Sequence, residues 1–184
     1  ATLEKAFGGA TRLVNYLNVS QSSVQVTVSD TGAKTTTNRS ASIVSGWDRS
    51  TGILCEFIQS FNETTDIGNF VQVTQSVTLT STTLWNESTP AQSLPATGTT
   101  DYTPGVGVGD VANYTVTLTK SDPGYATPDL LPNGTAALEI LGIDGSSVRV
   151  SLTTREADTG TVQTKTLTIN VKTGEIVEGA SPPP

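Results

Sequence analysis

Apolar and polar residues alternate in short runs along most of this chain, which is the pattern of half-buried β-strands. The stretch SSVQVTV (22–28) places three valines on one face of an extended strand, and SSVRVSL (146–152) does the same with two valines and a leucine. The pattern predicts strands at residues 14–19, 23–29, 39–47, 53–61, 70–85, 111–119, 136–143, 147–154, 162–171 and 175–178. It leaves residues 2–6 and 11–16 as the only helix candidates.

Longer matches between the two halves suggest a duplication. The segment LNVSQSSVQVTVS (17–29) aligns with LGIDGSSVRVSLT (141–153), and each half then reaches a Thr-Gly turn, at Gly52 and at Gly174. Glycine suits such turns because it adopts positive φ without steric cost. We therefore predict an all-β fold, a β-sandwich or curled antiparallel sheets built from two related β-meanders. Convergence of two unrelated meanders in a Thr-rich chain stays open as the alternative.

The domain organisation follows from the composition along the chain. Residues 1–10 are assigned to an N-terminal donor strand and residues 11–86 to the first meander. Residues 87–107 form a linker because they are rich in Pro, Gly, Ser and Thr, and residues 108–184 form the second meander. Both halves are expected to share one globular core.

The charge and the chain ends indicate the compartment and exclude some partners. A net charge of −7 and a pI of about 4.4 disfavour nucleic acid as a partner, because an acidic surface repels phosphate. The sequence has no apolar run long enough to span a membrane, so no membrane insertion is expected. The start ATLEKAFGG, without Met, favours a mature chain after removal of a signal peptide, and thus an extracellular or cell-surface protein.

Six N-x-Ser/Thr sequons strengthen the extracellular assignment. Ser and Thr fill a little over a quarter of the positions, so nine asparagines would produce about two or three sequons by chance. The excess predicts N-linked glycans, with no other cofactor. The candidate glycosylation sites are Asn18, Asn38, Asn62, Asn86, Asn113 and Asn133.

The residue types needed for catalysis or metal binding are scarce, which predicts that the protein is not an enzyme. The absence of His rules out a Ser-His-Asp triad and leaves the single Cys55 without a base. Carboxylate pairs remain, Asp48 with Glu56 or Asp110 with Asp144, but Asp48 and Asp144 sit at turn positions where Asp caps the backbone. No metal site is expected.

Three stretches carry a resemblance to a known group of proteins. TRLVNYLNV (11–19), GWDRSTGILCEF (46–57) and TSTTLW (80–85) match one half of the pattern of that group, and VGDVANYTV (108–116) begins the match to the other half. On these motifs the chain resembles archaeal secreted or cell-surface β-rich proteins with GDxxxY and WDxxTGILxE…LW patterns. The resemblance covers nearly the whole chain, but the two halves occur in permuted order.

The permuted order implies a sheet with open edges, and open edges accept further strands. We therefore expect residues 1–10 to act as a donor strand for the adjacent subunit, with Leu3, Lys5 and Phe7 on one face. The strand at residues 175–178 is the alternative donor. The predicted function is a structural subunit of a pilus-like or thread-like filament, in which identical subunits form a helical or linear polymer. The alternative is a secreted or surface-anchored β-sandwich module for binding or adhesion, with an apolar or carbohydrate site.

Overall fold

The computed structural model describes residues 1–7, 9–85, 105–127, 130–171, 173 and 175–178. In this part of the chain every regular element is a strand. The ten strands are β1 (Thr2–Phe7), β2 (Ala10–Val28), β3 (Lys34–Asp48), β4 (Leu54–Thr65), β5 (Phe70–Thr82), β6 (Val111–Lys120), β7 (Gly134–Asp144), β8 (Ser147–Glu156), β9 (Val162–Asn170) and β10 (Ile176–Glu178). The predicted all-β class is confirmed.

The strands form one antiparallel sheet in which every strand pairs with its neighbours in sequence, from β1 to β10. The sheet does not close, so β1 and β10 each have one edge without a strand neighbour among the described residues. β1 also contacts β5, four strands away, because the sheet curls at this end. The prediction of curled antiparallel sheets is therefore confirmed, as one continuous sheet.

Three finer predictions are wrong. The two helix candidates lie in β1 and β2, where alternate side chains are needed for pairing. The strands predicted at 14–19 and 23–29 are parts of the single strand β2, because the polar run between them continues to pair with β3. The alignment of 17–29 with 141–153 also fails, since the first segment has no internal turn whereas the second contains the β7–β8 hairpin.

Glycine at the predicted Thr-Gly turn has the expected conformation. Gly52 has φ of 73°, a left-handed value that suits glycine. Its predicted counterpart Gly174 lies outside the described residues, as do residues 87–104 of the predicted linker. The predicted domain boundaries therefore stay predictions.

Within the described part of the chain, two apolar clusters stabilise the curled sheet. The larger joins the first strands to the middle of the sheet and contains Phe7, Val14, Ile53, Cys55, Leu79, Ala112, Tyr114, Val116 and Ala136. The smaller is built from Ile140, Val148 and Val150 and is covered by partly buried residues of β7, β9 and neighbouring segments. Burial raises the pKa of the Cys55 thiol to about 11, so this cysteine is an inert core residue.

Beyond the larger cluster, β2 to β5 continue as an arm, which we define as residues 17–28, 34–45, 56–65 and 70–76. A β-bulge in the β3–β4 pairing, at Gly46/Trp47, marks its start. One face of β4 and β5 is covered by the segment between β6 and β7. There the ring of Tyr125 stacks on Phe61 at 6.2 Å between centroids, and Gln75 Nε2 donates to the Leu131 carbonyl at 2.7 Å.

Candidate functional site: the N-terminal edge strand and the sequon face

The edge strand β1 pairs with β2 of its own chain. The register joins Leu3 to Val14 and Lys5 to Arg12, so the three predicted donor residues do share one face. Phe7 is buried in the larger apolar cluster, whereas Leu3 is 55% exposed. Of the two predicted apolar anchors, only Phe7 fills a pocket within this chain.

Lys5 forms an ion pair with Glu56 of β4, and we call this contact the clasp. Its Nζ donates to both carboxylate oxygens of Glu56, at 2.8 and 2.7 Å, and lies 5.3 Å from the Phe7 ring centroid. Tyr16 donates its hydroxyl hydrogen to Glu56 at 3.2 Å. Hydrogen bonding to Glu56 raises the pKa of Lys5 and outweighs its desolvation. Burial, together with the Glu56 charge, raises the pKa of Tyr16.

A second polar cluster lies next to the β1–β2 hairpin, around the buried carboxylate of Asp48. Arg12 Nε donates to Asp48 Oδ2 at 2.8 Å, while the backbone N–H of Thr51 donates to Oδ1 at 2.8 Å. Burial acts to raise the pKa of Asp48, but hydrogen bonds from Arg12, Ser50 and Thr51 outweigh it and lower the pKa to about 2. The guanidinium of Arg12 also lies 5.1 Å from the Trp85 ring centroid. These contacts connect the β1–β2 hairpin to the β3–β4 turn.

Sequence reasoning named Lys5 and Phe7 for the donor strand but did not identify Tyr16 and Glu56, which contact Lys5. It also did not identify Arg12, which binds Asp48. Glu56 was considered only as a carboxylate partner for Asp48, and in the fold each of these two acids has its own cation. The clasp between Lys5 and Glu56 joins positions 51 residues apart. Such a contact depends on strand register and on the curl of the sheet, neither of which alternation reveals.

Five of the six predicted glycosylation sites are described, and Asn86 lies outside the described residues. Asn18, Asn38, Asn113 and Asn133 are exposed, whereas Asn62 is half-buried. Asn113 Nδ2, the atom that would carry a sugar, donates to Ser81 Oγ at 3.0 Å. Asn133 Oδ1 accepts a hydrogen bond from the Leu118 N–H at 2.6 Å.

Strand register brings four of these asparagines to one face of the sheet. Asn18 stands opposite Val44, Asn38 opposite Val24, and Asn62 opposite Ser40. Paired residues in an antiparallel sheet point to the same side, so all three share a face of the arm. The pairings continue through β5 to β6, where Asn113 follows the alternation of the residues on that side. We call this the sequon face.

The opposite face of the arm differs in its sequons, because none of the described sequons on β2 to β6 points to it. Exposed apolar residues lie on both faces: Leu17, Val19 and Ile43 on the opposite face, and Val24, Val26 and Val28 on the sequon face.

The cavities of the described chain are small. On the sequon face of the arm, a shallow hollow of about 220 Å³ is lined mainly by Ser20, Ser22, Ser40, Ser42 and Asn62, together with Gln21 and Ala41. A cavity of about 80 Å³ lies near Val116 and Leu131. Both are smaller than the roughly 300–1,000 Å³ of usual ligand pockets.

Among the residues that the structure describes, no group of three or more Cys, Asp or Glu side chains is placed to hold a metal ion. No helix in the described part of the chain is long and apolar enough to cross a membrane.

Comparison with protein-family models, with curated proteins and with solved structures finds no match for this chain. Its function is therefore argued from its own geometry.

Proposed function

We propose that this protein is a structural subunit of an extracellular, N-glycosylated filament, assembled head-to-tail by exchange of β1 between identical subunits. The observation that supports the proposal is the position of β1 at the end of an open sheet. Two glycines, Gly8 and Gly9, link β1 to β2 in the sequence, and Gly9 has φ of 82°. Every pairing that β1 makes with its own β2 is equally available on the β2 of another copy.

Exchange would preserve the contacts that β1 makes. The Phe7 pocket and the Glu56 clasp are formed by β2 to β7 and would receive the same residues from a neighbouring subunit. Because the donor surface differs from the acceptor surface, the contact is heterologous and propagates along one direction. Burial of Phe7 contributes about 1.5–3 kcal/mol to such a contact, and the backbone hydrogen bonds of β1 add to it.

The test is an engineered disulfide between β1 and β2, formed with the Glu4→Cys and Leu13→Cys changes. These positions are register partners. They form a non-hydrogen-bonded pair, because Ala1 and Tyr16 exchange both backbone hydrogen bonds and the pattern alternates from there. Side chains of such pairs are close enough for a disulfide. Exchange predicts a ladder of covalent oligomers on a non-reducing gel of the assembled protein.

The matched control joins Ser20→Cys to Ser42→Cys, partners in β2 and β3 of one chain. It should give a monomer band only. If Glu4→Cys/Leu13→Cys in assembled material also gives only monomer, β1 stays in its own subunit and the exchange mechanism is wrong. The buried Cys55, whose pKa is raised to about 11, does not interfere at neutral pH.

We also propose that the sequon face carries glycans, and that at least three of the six candidate asparagines are modified. Three of the four sequon asparagines on this face are exposed, which suits attachment. Sugar on one face would keep that face in solvent and leave the opposite face available for protein contacts. Intact-mass measurement of native protein tests this: a mass equal to the bare 19.1 kDa chain would overturn it.

A further inference from the structure

The second half of β2 has an edge that no other described strand covers. β1 pairs with β2 only up to Asn15, and the hydrogen bonds between Ala1 and Tyr16 end the pairing. From residue 17 to residue 28, β2 pairs with β3 on one side and has no strand neighbour on the other among the described residues. We call residues 17–28 on this side the free edge, and it is twice as long as β1.

Alternation identifies which backbone groups of the free edge are unpaired. Tyr16 directs its N–H and C=O towards β1, so every second residue after it directs the same groups to the same side. The residues between them direct their groups to β3. The outward-directed residues are Asn18, Ser20, Ser22, Val24, Val26 and Val28.

The free edge lacks the features that normally prevent strand addition. Residues 17–28 contain no charged residue and no proline, and their pairing with β3 is free of bulges. The other two edges are protected: β1 carries Glu4 and Lys5, and β10 has three residues that end in Glu178. Natural sheets use charge, proline, bulges and short strands to prevent edge pairing. The free edge of β2 therefore has the properties of a strand that pairs.

We infer that the free edge of β2 binds the same edge of a second copy, antiparallel, about a two-fold axis perpendicular to the sheet. The chain has a net charge of −7, but the edge is uncharged, so no like charges on the paired strands oppose contact. One register uses all six outward-directed residues. It pairs residues 18 with 28, 20 with 26 and 22 with 24 of the two copies, and it places Ser23 opposite itself. This gives about twelve intermolecular backbone hydrogen bonds.

This contact differs from the exchange of β1 in symmetry and in residues. It is isologous, so it closes as a pair, whereas the proposed exchange is heterologous and propagates. In a filament it would join subunits laterally. Its test does not depend on β1, so either mechanism can fail without the other.

The register is tested with single cysteines in the full-length chain. Ser23 lies on the two-fold axis at a non-hydrogen-bonded position, so Ser23→Cys should form a disulfide-linked dimer under mild oxidation. Gln21 faces Gln25 of the second copy in this register. Gln21→Cys alone and Gln25→Cys alone should therefore cross-link poorly, whereas their mixture should give a dimer. Efficient cross-linking of either variant alone would contradict this register.

Dimerisation itself is tested by Val24→Pro, with Val24→Thr as the matched control. The N–H of Val24 points away from β3, so proline removes no hydrogen bond within the chain, but it removes one bond and its symmetry mate from the dimer. Sedimentation equilibrium should show dimerisation weakened by about tenfold or more for Val24→Pro and near wild type for Val24→Thr. A wild-type chain that stays monomeric with Ser23→Cys uncross-linked would show that the edge binds another partner or none, and would overturn the inference.

Discussion

The stretches SSVQVTV and SSVRVSL have nearly the same sequence and opposite environments. In β8, Val148 and Val150 are 3% and 2% exposed, because β7 and β9 flank the strand and apolar residues cover its face. In β2, Val24 is 68% exposed, and this part of the strand has β3 as its one strand neighbour among the described residues. Both stretches form strands, so the alternation determines extension but not what covers the strand. The edge of the exposed stretch has no described strand neighbour, whereas the buried stretch supports the fold.

The largest effect is expected from Gly134→Ala, which tests how closely β7 approaches β8, the strand that contains the buried stretch. An added Cβ at Gly134 would lie 2.0 Å from the carbonyl oxygen of Arg155, a backbone atom of β8. The β7–β8 pairing must open, which should lower the free energy of unfolding by about 3 kcal/mol. Denaturant unfolding measures this.

The control is Gly142→Ala in the same strand. A Cβ at Gly142 meets no atom within 4 Å, so the change should stay within about 0.5 kcal/mol. Equal destabilisation by both variants would mean that the close approach at Gly134 does not limit the β7–β8 pairing.

A matched pair of truncations measures the comparison directly. Val150→Ala should lower the free energy of unfolding by about 2 kcal/mol, because the valine is fully buried in the smaller cluster. Val24→Ala removes the same two methyl groups at a solvent-exposed position. It should change the free energy of unfolding by less than about 0.5 kcal/mol in dilute protein. Similar losses would show that the free edge is already covered.

The third prediction concerns Asp48, which binds Arg12 near the start of the arm. Its pKa of about 2 in the folded state lies below the ordinary 3.8, so the folded state binds this proton less readily than the unfolded state. The resulting stabilisation of about 2 kcal/mol is complete above about pH 5 and is lost as the pH falls through 3.8 towards 2. The stability difference between wild type and Asp48→Asn should therefore shrink between about pH 5 and pH 2. A constant difference would contradict the role of the Asp48 charge.

The sequence predicted much of the fold because its signals are local. Alternation located most of the strands, and Gly52 was recognised because a Thr-Gly turn requires positive φ. Alternation divided β2 wrongly because the polar residues 20–22 resemble a loop, yet on an edge strand they need no apolar cover. The Lys5–Glu56 clasp was missed because it arises from the curl of the sheet. The common face of the sequon asparagines on β2, β3 and β4 was also missed, because a face shared between strands requires the register.

The smallest effect is expected at the Lys5–Glu56 pair, and it shows whether β1 sits in its own subunit or in a neighbour. Lys5 is about half exposed, so the pair contributes less than about 1 kcal/mol. Lys5→Glu and Glu56→Lys should each weaken assembly by several-fold, because two like charges then meet where β1 binds.

If β1 is exchanged, a mixture of the two variants restores assembly. In alternating subunits the new carboxylate on one donor strand meets the new ammonium on its neighbour, and the next contact along is the wild-type pair. If β1 stays in its own chain, mixing changes nothing and only the double variant recovers. Co-sedimentation of the separate and mixed variants measures the difference, and an unrescued mixture would limit β1 to the fold of a single subunit.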